Sequence, residues 1–393
     1  MLSSFEKGII TLINNALKNE NQPLPEDFDY SMVYGFGIKH QILPMLYYGG
    51  ANNPQFIASD KDNKMLFGTM SLAATSENQL IEIDRVCKEF DKNGIEYLKL
   101  KGSIIKRLYP SSEMRIMSDA DILIRENQMD KLERLLPTIG CTFECASDHE
   151  WIWKSDVISF ELHKRIVASY QKDFYDFFGN GWKLAKKKNE QSCEYEMSLE
   201  DEFLYLFTHL AKHYREAGVG IKHLTDIYLF LKAYTSLNME YIYTSLEKMH
   251  LLEFYKNIKN VLDVWFYGAE CDEVSKFITA KIFDDGVYGT LVNSLKADAL
   301  KFSKGTDEKG AKRKKRIYMV FLPYNRMCAV FPILRKAPIL LPFLWIWRLI
   351  RTVLFRRNNV KKLNQEVNNY SQSEIDAYQL ELNYVGLDYN FEV

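Results

Sequence analysis

At Asn93-Gly94 a long stretch of helical periodicity gives way to a different rhythm, and the next seventy residues constrain the fold more than any other part of the chain. Residues Ile95–Leu100 are short, Gly-bounded and rich in strand formers. The chain then runs through Lys101-Gly102-Ser103, and after residues 104–118 the segment SDADILI repeats the alternation. Side chains two apart on a strand share a face, so Asp119 and Asp121 point the same way, about 6.6 Å apart along the backbone. Paired carboxylates of this kind suit metal ions, which lie roughly 3.5 to 4 Å apart in two-metal sites. Gly102 sits where strand becomes helix, so the backbone can approach a ligand and the free N–H groups can meet a phosphate. Ser103 adds a hydroxyl. Arg115 and Ser118, just ahead of the acids, add cationic and polar contacts to the same anion.

A third carboxylate is within reach. Read as a strand, Val157–His163 places Ser159, Glu161 and His163 on one face and Ile158, Phe160 and Leu162 on the other, toward a core. A Glu beside two Asp residues is costly unless a cation neutralises the cluster, because neighbouring carboxylates raise one another's pKa. On that logic, replacing either Asp by Asn should relieve repulsion in the metal-free protein. A lone Asp-x-Asp is commonly a solvated strand end, and the Gly-Ser turn upstream is what separates this one from that reading.

A Gly-Ser turn, a short helix, Asp-x-Asp on the next strand and a third acid on a later strand resemble the polymerase-β-type nucleotidyltransferase superfamily. The wording LKLKGSIIKRLYP…MRIMSDADILI is similar to a largely uncharacterised bacterial branch of it, as are IKHQILPMLYY before it and KHLTDIYLFL after it. The likeness covers most of residues 30–235 and is specific around 98–124. It implies that Gly102 and Ser103 cradle the phosphates of an NTP and that Asp119 and Asp121 hold Mg²⁺ (or Mn²⁺). Glu161 would be the third metal-ligating and catalytic carboxylate, polarising or deprotonating the hydroxyl of an unidentified acceptor. Lys101 and Arg115 match the branch, which implies further phosphate contacts there, beside the polar contact expected of Ser118. The third acid is Glu where Asp is commoner, and the gap from Gly-Ser to Asp is slightly long.

The expected architecture is α+β: a helical lead-in (1–93), a small mixed-sheet nucleotidyltransferase core (94–198), a helical domain (199–308), and a basic amphipathic segment with an acidic tail (309–393). A helix over Glu126–Leu136 should follow the Asp-x-Asp strand, with Trp151–Lys154 and Val157–His163 pairing across Ser155-Asp156. Ser3 followed by Glu6 reads as a capping box. In the helical domain, His209 and His213 stand four apart with no third ligand in view. Lys222, His223 and Asp226 lie near a helix start; Asp226 is either a nucleotide contact or one half of a surface ion pair.

Composition limits the alternatives. A formal net charge of -1 gives no global attraction to nucleic acid, so sequence-specific nucleic-acid binding is not expected. Yet residues 309–362 carry fifteen basic side chains and no acid. Within them, 331–357 mixes Phe, Leu and Trp with Arg and Lys, which suits either contact with an anionic membrane or docking on the protein's own acidic surface. Pro332, Pro338 and Pro342 argue against one unbroken helix there. Six scattered cysteines and an N-terminus without a cleavage signal fit a cytoplasmic protein, peripheral at most to the inner membrane face. A non-catalytic nucleotide-binding scaffold, or a membrane-surface adaptor with the same fold, is the rival to an enzyme.

Overall fold

A computed structural model describes residues 1–355 and 372–387, apart from 148, 170, 288, 291, 292, 295, 298, 299, 301–309, 311, 312, 315, 316, 319 and 336. Most of the run KGAKRKKR, and the tail beyond its helix Gln372–Tyr384 and residues 385–387, fall outside the described residues.

The architecture is α+β, with one seven-stranded mixed sheet between helical regions. Its strands are β1 (Tyr97–Lys99), β2 (Asp119–Ile124), β3 (Thr142–Ala146), β4 (Glu150–Lys154), β5 (Ser159–His163), β6 (Ala185–Lys187) and β7 (Glu194–Met197), in the spatial order β3-β4-β5-β2-β1-β7-β6. β2 runs parallel to β5 and β1 parallel to β7, while the other neighbours are antiparallel. The expected hairpin is the β4–β5 pair, closed by the Ser155 hydroxyl accepting from the N–H groups of Val157 and Ile158. The helix expected at Glu126 starts there as one 3-10 turn and becomes α-helical at Met129–Thr138.

Both faces of the sheet are covered, and the strand period decides which residue meets which cover. Ala120, Ile122, Ile124, Phe160 and Leu162 pack on one side with Val86 and Phe90 of the helix Lys64–Lys92 and with Leu132 and Leu136. Leu98, Leu100 and Leu123 join the other core, which runs from Ile9 and Leu12 of the capped first helix to Phe203 and Phe207 of Leu199–Glu216. The lead-in and the helical half therefore share apolar contacts with one sheet face. Asp119, Asp121, Glu161 and His163 alternate with the first set, so they open toward that same helical side.

A small separate cluster forms near the C-terminus, where Met327, Cys328 and Leu334 gather Leu344 and Trp345. The prolines do interrupt this segment: 3-10 turns at Pro332–Arg335 and Pro338–Leu340 precede the helix Leu341–Phe355. No described helix is long and apolar enough to cross a membrane.

Candidate active site

Where β1 ends, the chain turns into the short helix Gly102–Ile105. Lys101 makes the turn at φ 41° and ψ -108°, a left-handed conformation that costs a non-glycine residue about 1 to 3 kcal/mol and persists only when its surroundings hold it. Its Nζ lies 3.1 Å from Asp121 Oδ1 and over the Tyr205 ring, 5.6 Å from the centroid. A Cβ on Gly102 would sit 3.0 Å from Met117 Sδ and 3.1 Å from Arg115 Nη1, so the glycine is what lets this turn approach the segment ahead of β2. The Ser103 hydroxyl is buried and donates to Leu100 O at 3.3 Å.

Parallel pairing sets Asp121 directly opposite Glu161, and Asp119 opposite Ser159. Around them lies a cleft of about 310 Å³, lined on the sheet side by Lys101, Gly102, Ser118, Asp119, Asp121 and Glu161. Of the residues expected from the sequence, these six come together. Arg115 reaches the cleft edge, but its guanidinium is held from behind: Nη2 donates to Asp226 Oδ2 at 2.8 Å and Nε to Oδ1 at 3.1 Å. The Tyr109 hydroxyl donates to the same Asp226 at 2.7 Å. Asp226 is 1% exposed and faces Arg115 and Tyr109 instead of the cleft. The pair that sequence reading left open, ligand contact or surface ion pair, is a buried ion pair that positions Arg115.

The two Asp residues are not equivalent, which corrects the expectation that either one is merely repelled. Burial pushes the Asp121 carboxyl up, but the Lys101 ammonium and a 2.9 Å hydrogen bond from His163 Nε2 outweigh it and hold the group far below the usual range. Asp119 has no such partner within bonding distance, and burial followed by the Asp121 charge raises it. Burial and then the charges of Asp121 and Asp119 push Glu161 up to about 8. The cluster thus carries more negative charge than its single lysine balances. Carboxylate oxygens of Asp121 and Glu161 lie within 4.8 Å of each other and of a His163 ring nitrogen, whose hydrogen bond to Asp121 orients that carboxylate. Surplus carboxylate charge and convergent donors fit a divalent cation.

The opposite wall is helical, and its residues, singled out in the sequence, are brought to the cleft only by the packing of two helices. His209 and His213 from Leu199–Glu216 meet His223 from Ile221–Ala233, with ring centroids 4.3, 6.1 and 5.7 Å apart. Burial first, and then nearby lysines, hold all three well below the ordinary histidine range, His223 at about 3. Lys222 is lowered to about 8 by burial and by Arg115, and its Nζ donates to Gln41 Oε1 of the lead-in at 2.8 Å. The residues overlooked on the sheet side are His149, Glu150 and His163. His163 could have been found, since it shares the Glu161 face in the same strand.

A search of curated proteins finds none that matches this chain. The family described as uncharacterised nucleotidyltransferase matches residues 26–266, more than half of the chain. That span takes in both walls of the cleft from Gln41 to His223, and the chain belongs to this uncharacterised nucleotidyltransferase family.

Proposed function

We propose that the cleft transfers a nucleoside monophosphate from an NTP to an acceptor hydroxyl or similar nucleophile, with release of pyrophosphate. The observation that carries the reading is the β2–β5 register, which sets Glu161 opposite Asp121 with Asp119 two residues ahead on the same face. Asp119, Asp121 and Glu161 would hold Mg²⁺ (or Mn²⁺), which supplies neutralisation of the triphosphate charge during in-line displacement. The remaining work falls to the chain itself. Gly102 lets the turn close against Met117 and Arg115, and Arg115, fixed by Asp226, offers a guanidinium edge to the phosphate oxygens. Lys101 and His163 lock the orientation of Asp121. The acceptor oxygen forms its bond to the α-phosphorus as the bond to the pyrophosphate oxygen breaks. Its proton passes to Glu161 in the carboxylate form.

The test uses α-labelled NTPs, Mg²⁺ and a pool of candidate acceptors. Label transfer with pyrophosphate release, lost in Asp119→Asn, is the expected result. NTP binding without pyrophosphate release from any acceptor would mark the protein as a nucleotide-binding scaffold, and no NTP binding at all would sink the reading.

A peripheral membrane contact through 331–357 is part of the proposal, because the helix Leu341–Phe355 leaves Phe343, Ile346, Trp347 and Ile350 exposed at helical spacing. Its two tryptophans divide the work: Trp345 Nε1 donates to Leu322 O at 2.9 Å, while Trp347 stays 55% exposed. Each basic residue near an anionic bilayer is worth about 1 kcal/mol. Flotation with anionic vesicles should show binding at low salt that is lost at high salt and in Trp347→Ser. Equal recovery with neutral vesicles would refute the membrane contact.

A further inference from the structure

We propose that His149, Glu150 and His163 form a second cation site on the sheet wall, selective for a borderline divalent ion of the Zn²⁺ class. The site does not depend on the nucleotidyl-transfer reading. It follows from the antiparallel β4–β5 register, which makes Glu150 the cross-strand partner of His163, and from the turn that sets His149 just ahead of β4. His149 Nε2 lies 3.3 Å and His163 Nδ1 3.8 Å from Glu150 Oε2, and the three donor atoms converge within 4.8 Å. The edge of a zinc tetrahedron with bonds of 2.0 to 2.1 Å is about 3.3 Å, and two imidazoles with one carboxylate is a donor set that zinc enzymes use.

Each ligand is also oriented from outside. His163 is 4% exposed, and its Nε2 is engaged by Asp121 Oδ1 at 2.9 Å. A carboxylate there selects the Nε2–H tautomer and leaves the lone pair on Nδ1. That Nδ1 is buried with no hydrogen-bond partner and is aimed at Glu150 and His149. An unpaired buried acceptor is costly, and a cation removes the cost. The Ser147 hydroxyl lies 3.4 Å from His149 Nδ1 and 3.3 Å from Glu150 Oε1, so the inward atoms of both are His149 Nε2 and Glu150 Oε2.

The same tautomer separates two chemistries. With Nε2 protonated, His163 donates to Asp121 and is no ligand on that side, so the set proposed for Mg²⁺, Asp119, Asp121 and Glu161, is all oxygen and suited to a hard ion. The lone pair on the other side of the ring completes a nitrogen-rich set suited to a softer one. Asp121 is shared, as a ligand of the first and an orienting partner of the second. All three residues line the cleft, so the fourth position of the bound ion is open to water or to a donor from the cleft's occupant.

The full-length protein, stripped of metal and held in saturating Mg²⁺, is titrated with Co²⁺ as a visible stand-in for Zn²⁺. The expected result is one Co²⁺ per chain with the intense visible bands of four-coordinate cobalt, displaced by Zn²⁺ and not by further Mg²⁺. His149→Ala and Glu150→Gln should each weaken binding at least 10-fold, and Ser147→Ala by about 10-fold, the lower end for an outer-shell partner. Asp119→Asn should leave the bands unchanged while removing transfer, which keeps failure of this site distinct from failure of the nucleotidyl-transfer reading. Absence of stoichiometric bands, or bands that survive both His149→Ala and Glu150→Gln, would overturn the proposal.

Discussion

The sheet wall and the helical wall of the cleft are built from opposite electrostatic materials. Carboxylates on the sheet wall sit close enough to raise one another, and only Asp121 is rescued by a lysine and a histidine. Across the gap, three histidines and a lysine are buried so deeply that their charged forms are disfavoured. Both walls therefore resist their charged states, each by burial first and then by like-charged neighbours: carboxylates on the sheet side, cations on the helical side. A ligand carrying both cation and phosphate would relieve the two at once, which is the lesson of the contrast for function.

Activity gives the strongest test of the sheet wall. Asp121→Asn and Asp119→Asn should each lower transfer by at least roughly 100- to 1,000-fold, the scale of losing one electrostatic stabiliser. Turnover within 10-fold of the parent protein would remove both residues from the chemistry.

Stability should then split the two acids. Asp121→Asn strips the counter-charge from buried Lys101 and should cost about 3 to 5 kcal/mol in denaturant unfolding. Asp119→Asn should be neutral or slightly stabilising, since that carboxyl is raised by burial and by its neighbour. Equal losses in the two variants would mean that the Lys101 pairing is not what distinguishes them.

The walls should also pull stability in opposite directions with pH. His223 is neutral when folded down to about pH 3 but protonates near 6.5 when unfolded, so its contribution is lost as pH falls below 6.5. Glu161 stays protonated to about 8 when folded but ionises near 4.5 when unfolded, so its contribution is lost as pH rises above 4.5. Each such proton sets a slope of about 1.4 kcal/mol per pH unit inside its window. Unfolding free energies measured from pH 4 to 8 should show His223→Gln flattening the acid side and Glu161→Gln the alkaline side. An unchanged profile in both would show that the burial of these groups is not maintained in solution.

The smallest expected effect is at the turn between the walls. Gly102→Ala forces Met117 and Arg115 to give by a few tenths of an ångström, and because both are side chains the cost should be about 1 kcal/mol. NTP affinity should fall more than stability does, through displacement of Arg115. A variant with weaker folding and unchanged affinity would separate Gly102 from the nucleotide.

Much of the sheet wall was legible because its signals are local. The period of two put Asp119 and Asp121 on one face, and Ser159, Glu161 and His163 on another, before any pairing was known. The hairpin of β4 and β5 and the first helix's capping box were readable for the same reason. The short strands β3, β6 and β7 were not anticipated, since they bury few side chains and so lack the apolar alternation that marks β4 and β5. Arg115 and Asp226 stand 111 positions apart, and nothing within either segment names the other.

By itself the sequence determined where chain geometry repeats: the strand faces, the Gly-Ser turn, the helical halves and the proline breaks near the C-terminus. Only the tertiary structure decided which acid is paired, which nitrogen of His163 is left without a partner, and that three histidines on two helices share one wall. The physical reason is that backbone conformation follows from a residue's neighbours in the chain. A side chain's charge and hydrogen bonding are instead sums over its neighbours in space, and distant segments supply those only once they pack.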